Sequence, residues 1–312
     1  MKTPTNTLFY TLLLSLLTAL PLKAQTAFGN QQIIQETLTA NATDVHAADL
    51  DNDGDMDMLS ASSGDDKIAW YENDGSGNFG TQQIITTVTY YPTSVYAADL
   101  DNDGDIDVLS AFNDAIAWYE NDGSGNFGTQ QIITTDADGA QSVYAADLDN
   151  DGNIDVLSAS KYDDKIAWYE NDGSGNFGAQ QIITTVANGA YSVYAADLDN
   201  DGDMDVLSAS MDDDKIAWYE NEGSGNFGTQ QIITTAVDYA NSVYAADLDN
   251  DGDMDVLSAS HDDDKIAWYE NDGSGNFGTQ QIITTDALEQ AQSVYAADLD
   301  NDGDIDVLSA YY

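Results

Sequence analysis

Short stretches rich in Val, Ile, Tyr and Trp alternate along this chain with clusters of Asp, Asn, Gly and Ser, and no apolar spacing of 3.6 residues runs long enough for a helix. Within residues 94–135 the pattern predicts four strands, "VYAADL" (95–100), "IDVLSAF" (106–112), "AIAWYEN" (115–121) and "FGTQQIITT" (127–135). An acidic loop joins the first two. "DGSGN" (122–126) joins the last two through glycines able to take positive φ. The same text recurs nearly unchanged, its acidic motif starting near residues 49, 99, 147, 197, 247 and 298. Four antiparallel strands in about 50 residues make a sheet too small to bury both faces, so neighbours must stack on it. The expected fold is all-β, a β-propeller of about six four-stranded blades, or seven, with one acidic loop per blade. A solenoid of stacked sheets is the competing architecture.

Two regions break the repeat. Met1 and Lys2 precede the apolar run "LFYTLLLSLLTAL" (8–20), and Pro21 to Ala24 could form a cleavage region, so residues 1–24 read as a secretory signal peptide and 25–312 as the repeat domain. The run is shorter than the roughly 20 residues of a membrane-spanning helix, which disfavours the alternative of an uncleaved anchor. Residues 28–36, "FGNQQIIQE", copy a fourth strand with no blade before them, and the sequence reaches Tyr312 in a second strand, "IDVLSAYY" (305–312). The orphan is expected to complete the last blade and cover its edge. Because that blade lacks a third strand, the reading leaves two options: a six-bladed ring with an imperfect seam, or a piece of a longer, seven-bladed chain.

Composition narrows the partners. With 57 Asp and Glu against seven Lys and no Arg, the formal net charge of −50 repels nucleic acid, phosphate-rich ligands and anionic membrane surfaces. Apolar residues make up 42% and aromatic residues 10%, enough for a core, which separates the chain from disordered acidic tails. The absence of cysteine removes disulfides, thiolate metal sites and cysteine nucleophiles together.

The acidic loop carries the clearest chemistry. "DLDNDGDID" (99–107) sets five carboxylates in nine positions, with Gly104 at the sixth place for a sharp bend. Calcium takes six to eight hard oxygen ligands, and alternate residues of a tight loop can aim carboxylates at one centre. Positions 1, 3, 5 and 9 supply them: Asp49, Asp51, Asp53 and Asp57; Asp99, Asp101, Asp103 and Asp107; Asp147, Asp149, Asp151 and Asp155. The remaining copies supply Asp197, Asp199, Asp201 and Asp205; Asp247, Asp249, Asp251 and Asp255; Asp298, Asp300, Asp302 and Asp306. A merely solvated acidic turn fares worse, since carboxylates about 4 Å apart repel by roughly 1–4 kcal/mol per pair. An EF-hand would need Glu at position 12 and flanking helices, where this chain has Ser60, Ser110 and their equivalents in strand-like runs.

The repeating unit resembles the FG-GAP or VCBS-type repeat of integrin alpha-chain propellers and of many secreted bacterial proteins, over essentially all of residues 28–312. The resemblance rests on D-x-D-x-D-G-x-x-D, here Asp49, Asp51, Asp53, Gly54 and Asp57 and the five matching copies. It implies about six Ca2+ sites. It also implies that position 7, occupied by Asp55, Asp105, Asn153, Asp203, Asp253 and Asp304, joins each site through its backbone carbonyl alone, a role Asn153 fills as well as Asp.

In a four-stranded blade the acidic loops and "DGSGN" turns share one rim, and the second-to-third loops and crossovers share the other. The differences between copies concentrate on that second rim, making Tyr90, Tyr91, Tyr162, Tyr191 and Tyr239 the candidate ligand contacts, against the blander reading of drifting surface loops. Trp70, Trp118, Trp168, Trp218 and Trp268 lie mid-strand in "IAWYEN", where packing between blades outweighs sugar stacking. His46 takes the place of Tyr96, Tyr144, Tyr194, Tyr244 and Tyr295, a packed strand position, and His261 has no nucleophile pattern beside it. The leading expectation is a non-enzymatic, secreted or surface-displayed, monomeric module for adhesion to protein or glycan. A carbohydrate-active lyase or hydrolase and a purely structural repeat are the alternatives.

Overall fold

The computed structural model describes residues 41–285 and 290–311, which hold 22 strands and no helix. The first sheet runs in the order β1 (Ala42–Ala48), β2 (Asp57–Ser62), β3 (Lys67–Tyr71), β4 (Gln83–Thr86), all antiparallel. The second repeats it with β5 (Pro92–Ala98), β6 (Asp107–Phe112), β7 (Ala115–Tyr119) and β8 (Gln131–Thr134). The third comprises β9 (Ala140–Ala146), β10 (Asp155–Ser160), β11 (Lys165–Tyr169) and β12 (Gln181–Thr184), and the fourth β13 (Ala190–Ala196), β14 (Asp205–Ser210), β15 (Lys215–Tyr219) and β16 (Gln231–Thr234). The fifth holds β17 (Ala240–Ala246), β18 (Asp255–Ser260), β19 (Lys265–Tyr269) and β20 (Gln281–Thr284); the sixth pairs β21 (Ala291–Ala297) with β22 (Asp306–Tyr311). First strands of consecutive sheets pack side by side, the arrangement of propeller blades. The expected signal peptide and the orphan strand at 28–36 lie outside the described residues.

The fourth strand is shorter than its sequence suggests. Phe127 leaves the ladder for an isolated bridge to Asn121, and the Gly128 amide turns to the Glu120 carbonyl at 2.7 Å, so regular pairing begins only at Gln131. The first strand, by contrast, starts earlier than expected, at Pro92. A proline without an amide donor is tolerated at a strand's first residue.

Each core belongs to two sheets. Leu109, Ala111, Ile116 and Trp118 of the second sheet close on Ala140, Val143, Ala145, Val156 and Tyr169 of the third, and the same sets recur at the next two junctions. Alternation explains it: in β6 the residues Leu109 and Ala111 face one neighbour, while Val108 packs toward the sheet before, against Leu59 and Trp70. Removing one such Trp to Ala should cost about 3–5 kcal/mol. Position along the array decides burial, since Val45 on β1 is 57% exposed whereas its equivalent Val95 is 2% exposed. Along the innermost strands, His46, Tyr96, Tyr144, Tyr194, Tyr244 and Tyr295 form a continuous ladder with ring centroids 4.4–4.8 Å apart. His46 is thus a packing residue. Burial lowers its pKa, so the ring stays neutral in this stack.

Candidate metal loops and the opposite rim

The loop between first and second strands is built by its own side chains. Asp49 accepts the amides of Asp53 (3.2 Å) and Gly54 (3.0 Å), and Asp53 accepts that of Asp55 at 2.9 Å. The position-4 asparagines, Asn52, Asn102, Asn150, Asn200, Asn250 and Asn301, take left-handed φ of 55–63°, a region Asn tolerates better than most residues. The following glycine goes further, to +94° at Gly54. Position 9 closes the loop from the strand side: Asp57 accepts from Leu50 N–H at 2.9 Å and from Asn73 N–H at 2.8 Å.

These bonds bring carboxylates together. Asp49, Asp51 and Asp53; Asp99, Asp101 and Asp107; Asp147, Asp149 and Asp155; Asp197, Asp199 and Asp205; and Asp247, Asp249 and Asp251 each place one oxygen within 4.8 Å of the others, close enough to hold a cation. The fit to a hard divalent ion is tested by the oxygens themselves. Oδ1 of Asp51, Asp99 and Asp197 is buried and has no hydrogen-bond partner, an arrangement that is costly unless a cation takes the lone pairs. Without an ion the clusters resist ionisation: burial, then the neighbouring carboxylates, raise the pKa of Asp51, Asp101, Asp149 and Asp199. At position 9, burial pushes Asp107, Asp155 and Asp205 up to about 7 and Asp255 to about 6, against the opposing pull of two backbone amides. An all-oxygen donor set of this kind suits Ca2+ over softer metals.

The side chains of position 7 are used elsewhere. Asp105 accepts from Asn52 Nδ2 of the preceding loop at 2.7 Å, Asn153 from Asn102 at 2.8 Å, Asp253 from Asn200 at 2.7 Å and Asp304 from Asn250 at 3.0 Å; Asp203 pairs with Asn150 in the same way. Asp55 lies against Gly75 of its own turn. None of these residues belongs to the five clusters named above. The sequence signal for this link was present in the unbroken recurrence of Asn at position 4, which the carboxylate count overshadowed.

The opposite rim joins crossovers to second-to-third loops. Asp66 accepts the Tyr91 amide at 2.8 Å, and Asp214 that of Tyr239 at 2.9 Å; the His261 amide then donates to the Tyr239 carbonyl at 3.0 Å. At this junction position the backbone is left-handed throughout, with φ of 68° at Gly139, 65° at Gly189, 58° at Tyr91, 62° at Tyr239 and 64° at Gln290. Tyr90, Tyr91 and Tyr162 are 69%, 56% and 72% exposed, while Tyr191 and Tyr239 are half-buried, Tyr191 near Lys161 and Tyr239 against His261. The five tyrosines therefore share a rim but are spread over successive junctions. Trp70, Trp118, Trp168 and Trp218 are only 2–4% exposed and offer no sugar platform, and Trp268 is half-buried beside the two-stranded sheet. His261 Nδ1 lies 2.5 Å from Asp262 Oδ1.

Comparison with known proteins agrees with this architecture. The FG-GAP-like repeat model matches residues 49–110, 99–158, 147–208, 197–258 and 247–309. No curated protein matches the sequence. Among solved structures, the chain is similar to an Agrocybe aegerita lectin described as recognising non-reducing terminal N-acetylglucosamine, with TM-score 0.58 and 20% identity over 78% of this chain. It spans 66% of that lectin, just under two thirds of its length. BBS1N, in complex with ARL6DN, gives TM-score 0.61 at 12% identity, covering 88% of this chain and 78% of that one. Virginiamycin B lyase from Staphylococcus aureus gives 0.55 at 12% identity, covering 82% and 76%. At such identities the likeness concerns the fold alone.

Proposed function

Because this chain belongs to the FG-GAP-like repeat family, we propose that it is a secreted or surface-displayed, calcium-stabilised β-propeller that binds protein or glycan through its tyrosine-bearing rim. The observation that carries the binding role is the backbone at Tyr91 and Tyr239. Two other junctions fill that left-handed position with Gly139 and Gly189 and a third with Gln290 at 64°, and a bulky L-residue there costs about 1–2 kcal/mol, so the two tyrosines hold aromatic rings at strained, outward-facing turns. Strain kept in place to present an aromatic edge on a rigid scaffold is the mark of a recognition surface. Tyrosine suits it, since its ring packs on apolar sugar or peptide faces and its hydroxyl hydrogen-bonds.

Calcium would act as the staple, supplying positive charge that lets the buried carboxylates stay ionised. Positions 1, 3, 5 and 9 would hold it, the position-1 Asp also ordering the loop amides and the position-9 Asp tying the loop to the strand. At tenfold excess over its dissociation constant, each ion adds about 1.4 kcal/mol. Six such sites would add about 8 kcal/mol, similar to an ordinary domain's whole stability.

The rest of the proposal is a monomer without catalytic activity. A carbohydrate-active enzyme on the same scaffold is the rival, and among the described residues the rim pair His261 and Asp262 beside Tyr239 is the constellation that favours it. A glycan and protein array run on the wild type and on Tyr91→Gly/Tyr239→Gly tests the reading. Binding by the wild type, lost at least tenfold in the variant without product formation, supports it. Cleavage of an arrayed glycan, or equal binding by both, overturns it.

A further inference from the structure

Resting on the calcium reading above, we infer that the metal loops are not independent: Asn121, Asn171, Asn221 and Asn271 are positioning residues that make the ions bind cooperatively from blade to blade. Asn121 opens the fourth-strand turn of the second sheet and is 1% exposed. Its backbone amide donates to Oδ1 of Asp107, the position-9 carboxylate of its own blade, at 2.8 Å. Its side-chain Nδ2 forks between the Ile106 carbonyl, 2.8 Å away, and the Leu50 carbonyl of the preceding blade, also 2.8 Å away. Leu50 in turn donates its N–H to Oδ2 of Asp57 at 2.9 Å. Two buried residues, Asn121 and Leu50, thus connect the position-9 carboxylates of two successive loops.

The relay is repeated. Asn171 joins Asp155 to the Leu100 carbonyl (2.7 Å), Asn221 joins Asp205 to Leu148 (2.8 Å), and Asn271 joins Asp255 to Leu198 (2.7 Å). Leu100, Leu148 and Leu198 each donate to their own position-9 Asp at 2.9 Å. An ion that fixes Asp107 fixes Asn121, which holds the carbonyl of Leu50 and, through the φ and ψ of that buried residue, constrains the N–H that orients Asp57. A buried amide has no water to exchange with, so its bonds form or fail together. Among the described residues, Asn73 in the first sheet bonds within its own blade alone: its N–H donates to Asp57 (2.8 Å), its Nδ2 to the Met56 carbonyl (2.9 Å), and its Oδ1 accepts the Gly77 amide (3.1 Å).

Electrostatics predicts the opposite sign of coupling. Each bound divalent ion reduces the field of a chain with net charge −50, so later ions would bind more weakly and the Hill coefficient would fall below 1. In a chain already folded before calcium is added, a steep isotherm therefore comes from the hydrogen-bonded relay and not from binding coupled to folding. The test is a calcium titration of the full chain by calorimetry, with equilibrium dialysis for the ion count, on wild type, Asn171→Asp and Asn73→Asp. Asp keeps the size but cannot donate to the Leu100 carbonyl.

The relay requires a wild-type Hill coefficient above about 2, falling toward 1 in Asn171→Asp and unchanged in Asn73→Asp. Several ions bound with a wild-type Hill coefficient of 1 or less overturn the relay and leave the calcium reading standing, whether or not any variant folds. An equal loss of steepness in both variants also overturns the relay, since a general weakening would then explain it. No bound ion at all removes the calcium reading itself and the relay with it.

Discussion

The indole of Trp118 lies directly beneath Gly175 of the next blade's turn, so close that a Cβ added at residue 175 would stand 2.3 Å from the ring. The same contact recurs between Trp168 and Gly225 and between Trp218 and Gly275. Gly175→Ala must therefore displace a buried Trp and also hold an L-residue at φ of 68°, for an expected loss of about 2–4 kcal/mol. Gly77 is the internal control: its φ is 75°, but a Cβ there meets nothing within 4 Å, so Gly77→Ala should lose only about 1 kcal/mol. Urea denaturation of both variants measures the difference.

That contact shows what sequence could and could not reveal. The strand runs at 106–112 and 115–121 became β6 and β7 nearly intact, because alternating side chains packed on both faces leave little freedom of register. The six acidic loops were equally plain, since their spacing is a local property. Repetition hides the bonds that cross from one copy to the next: nothing in "NDGSGNFG" says that its Asn reaches a carbonyl 71 residues earlier, or that its second Gly covers another blade's Trp. For the same reason the fourth strand that the sequence predicts is too long at Phe127, which leaves the ladder and packs against the cluster that holds Trp70, as Phe177 meets Trp118 edge-on.

Acid should stabilise the metal-free protein. Asp107, Asp155 and Asp205 have folded values of about 7, well above 3.8, because burial disfavours their charged form. Between those two values the folded state binds more protons than the unfolded one, so stability falls as pH rises from about 4 to about 7. After exhaustive chelation, the melting temperature should be several degrees higher near about pH 5.5 than near about pH 7.5. With calcium present the trend should reverse, since the ion competes with those protons.

Asp44 adds a second pH response away from the loops. It stands where other blades have Ser94, Ser142 and Ser192, accepts the Val95 amide at 3.0 Å, and is pushed up to about 6 by burial. Its ionised form is a burden on the folded state above about pH 6, so Asp44→Ser should raise stability near pH 8 by about 1–2 kcal/mol and leave it nearly unchanged near about pH 4. Thermal melts of the two proteins across that range check the sign.

Tyr239→Gly should separate stability from recognition. Relief of the strain at φ of 62° offsets the lost contact with His261, so the melting temperature should stay within about 3 °C of wild type. Affinity for whatever ligand the arrays identify should fall, which surface plasmon resonance measures.

The most direct measurement is a count of calcium bound per chain after equilibrium dialysis, paired with melting curves before and after chelation. The carboxylate loops predict about six ions and a melting temperature lowered by tens of degrees once they are removed. A count near zero with an unchanged melting curve would show that the carboxylates neither hold ions nor need them to fold.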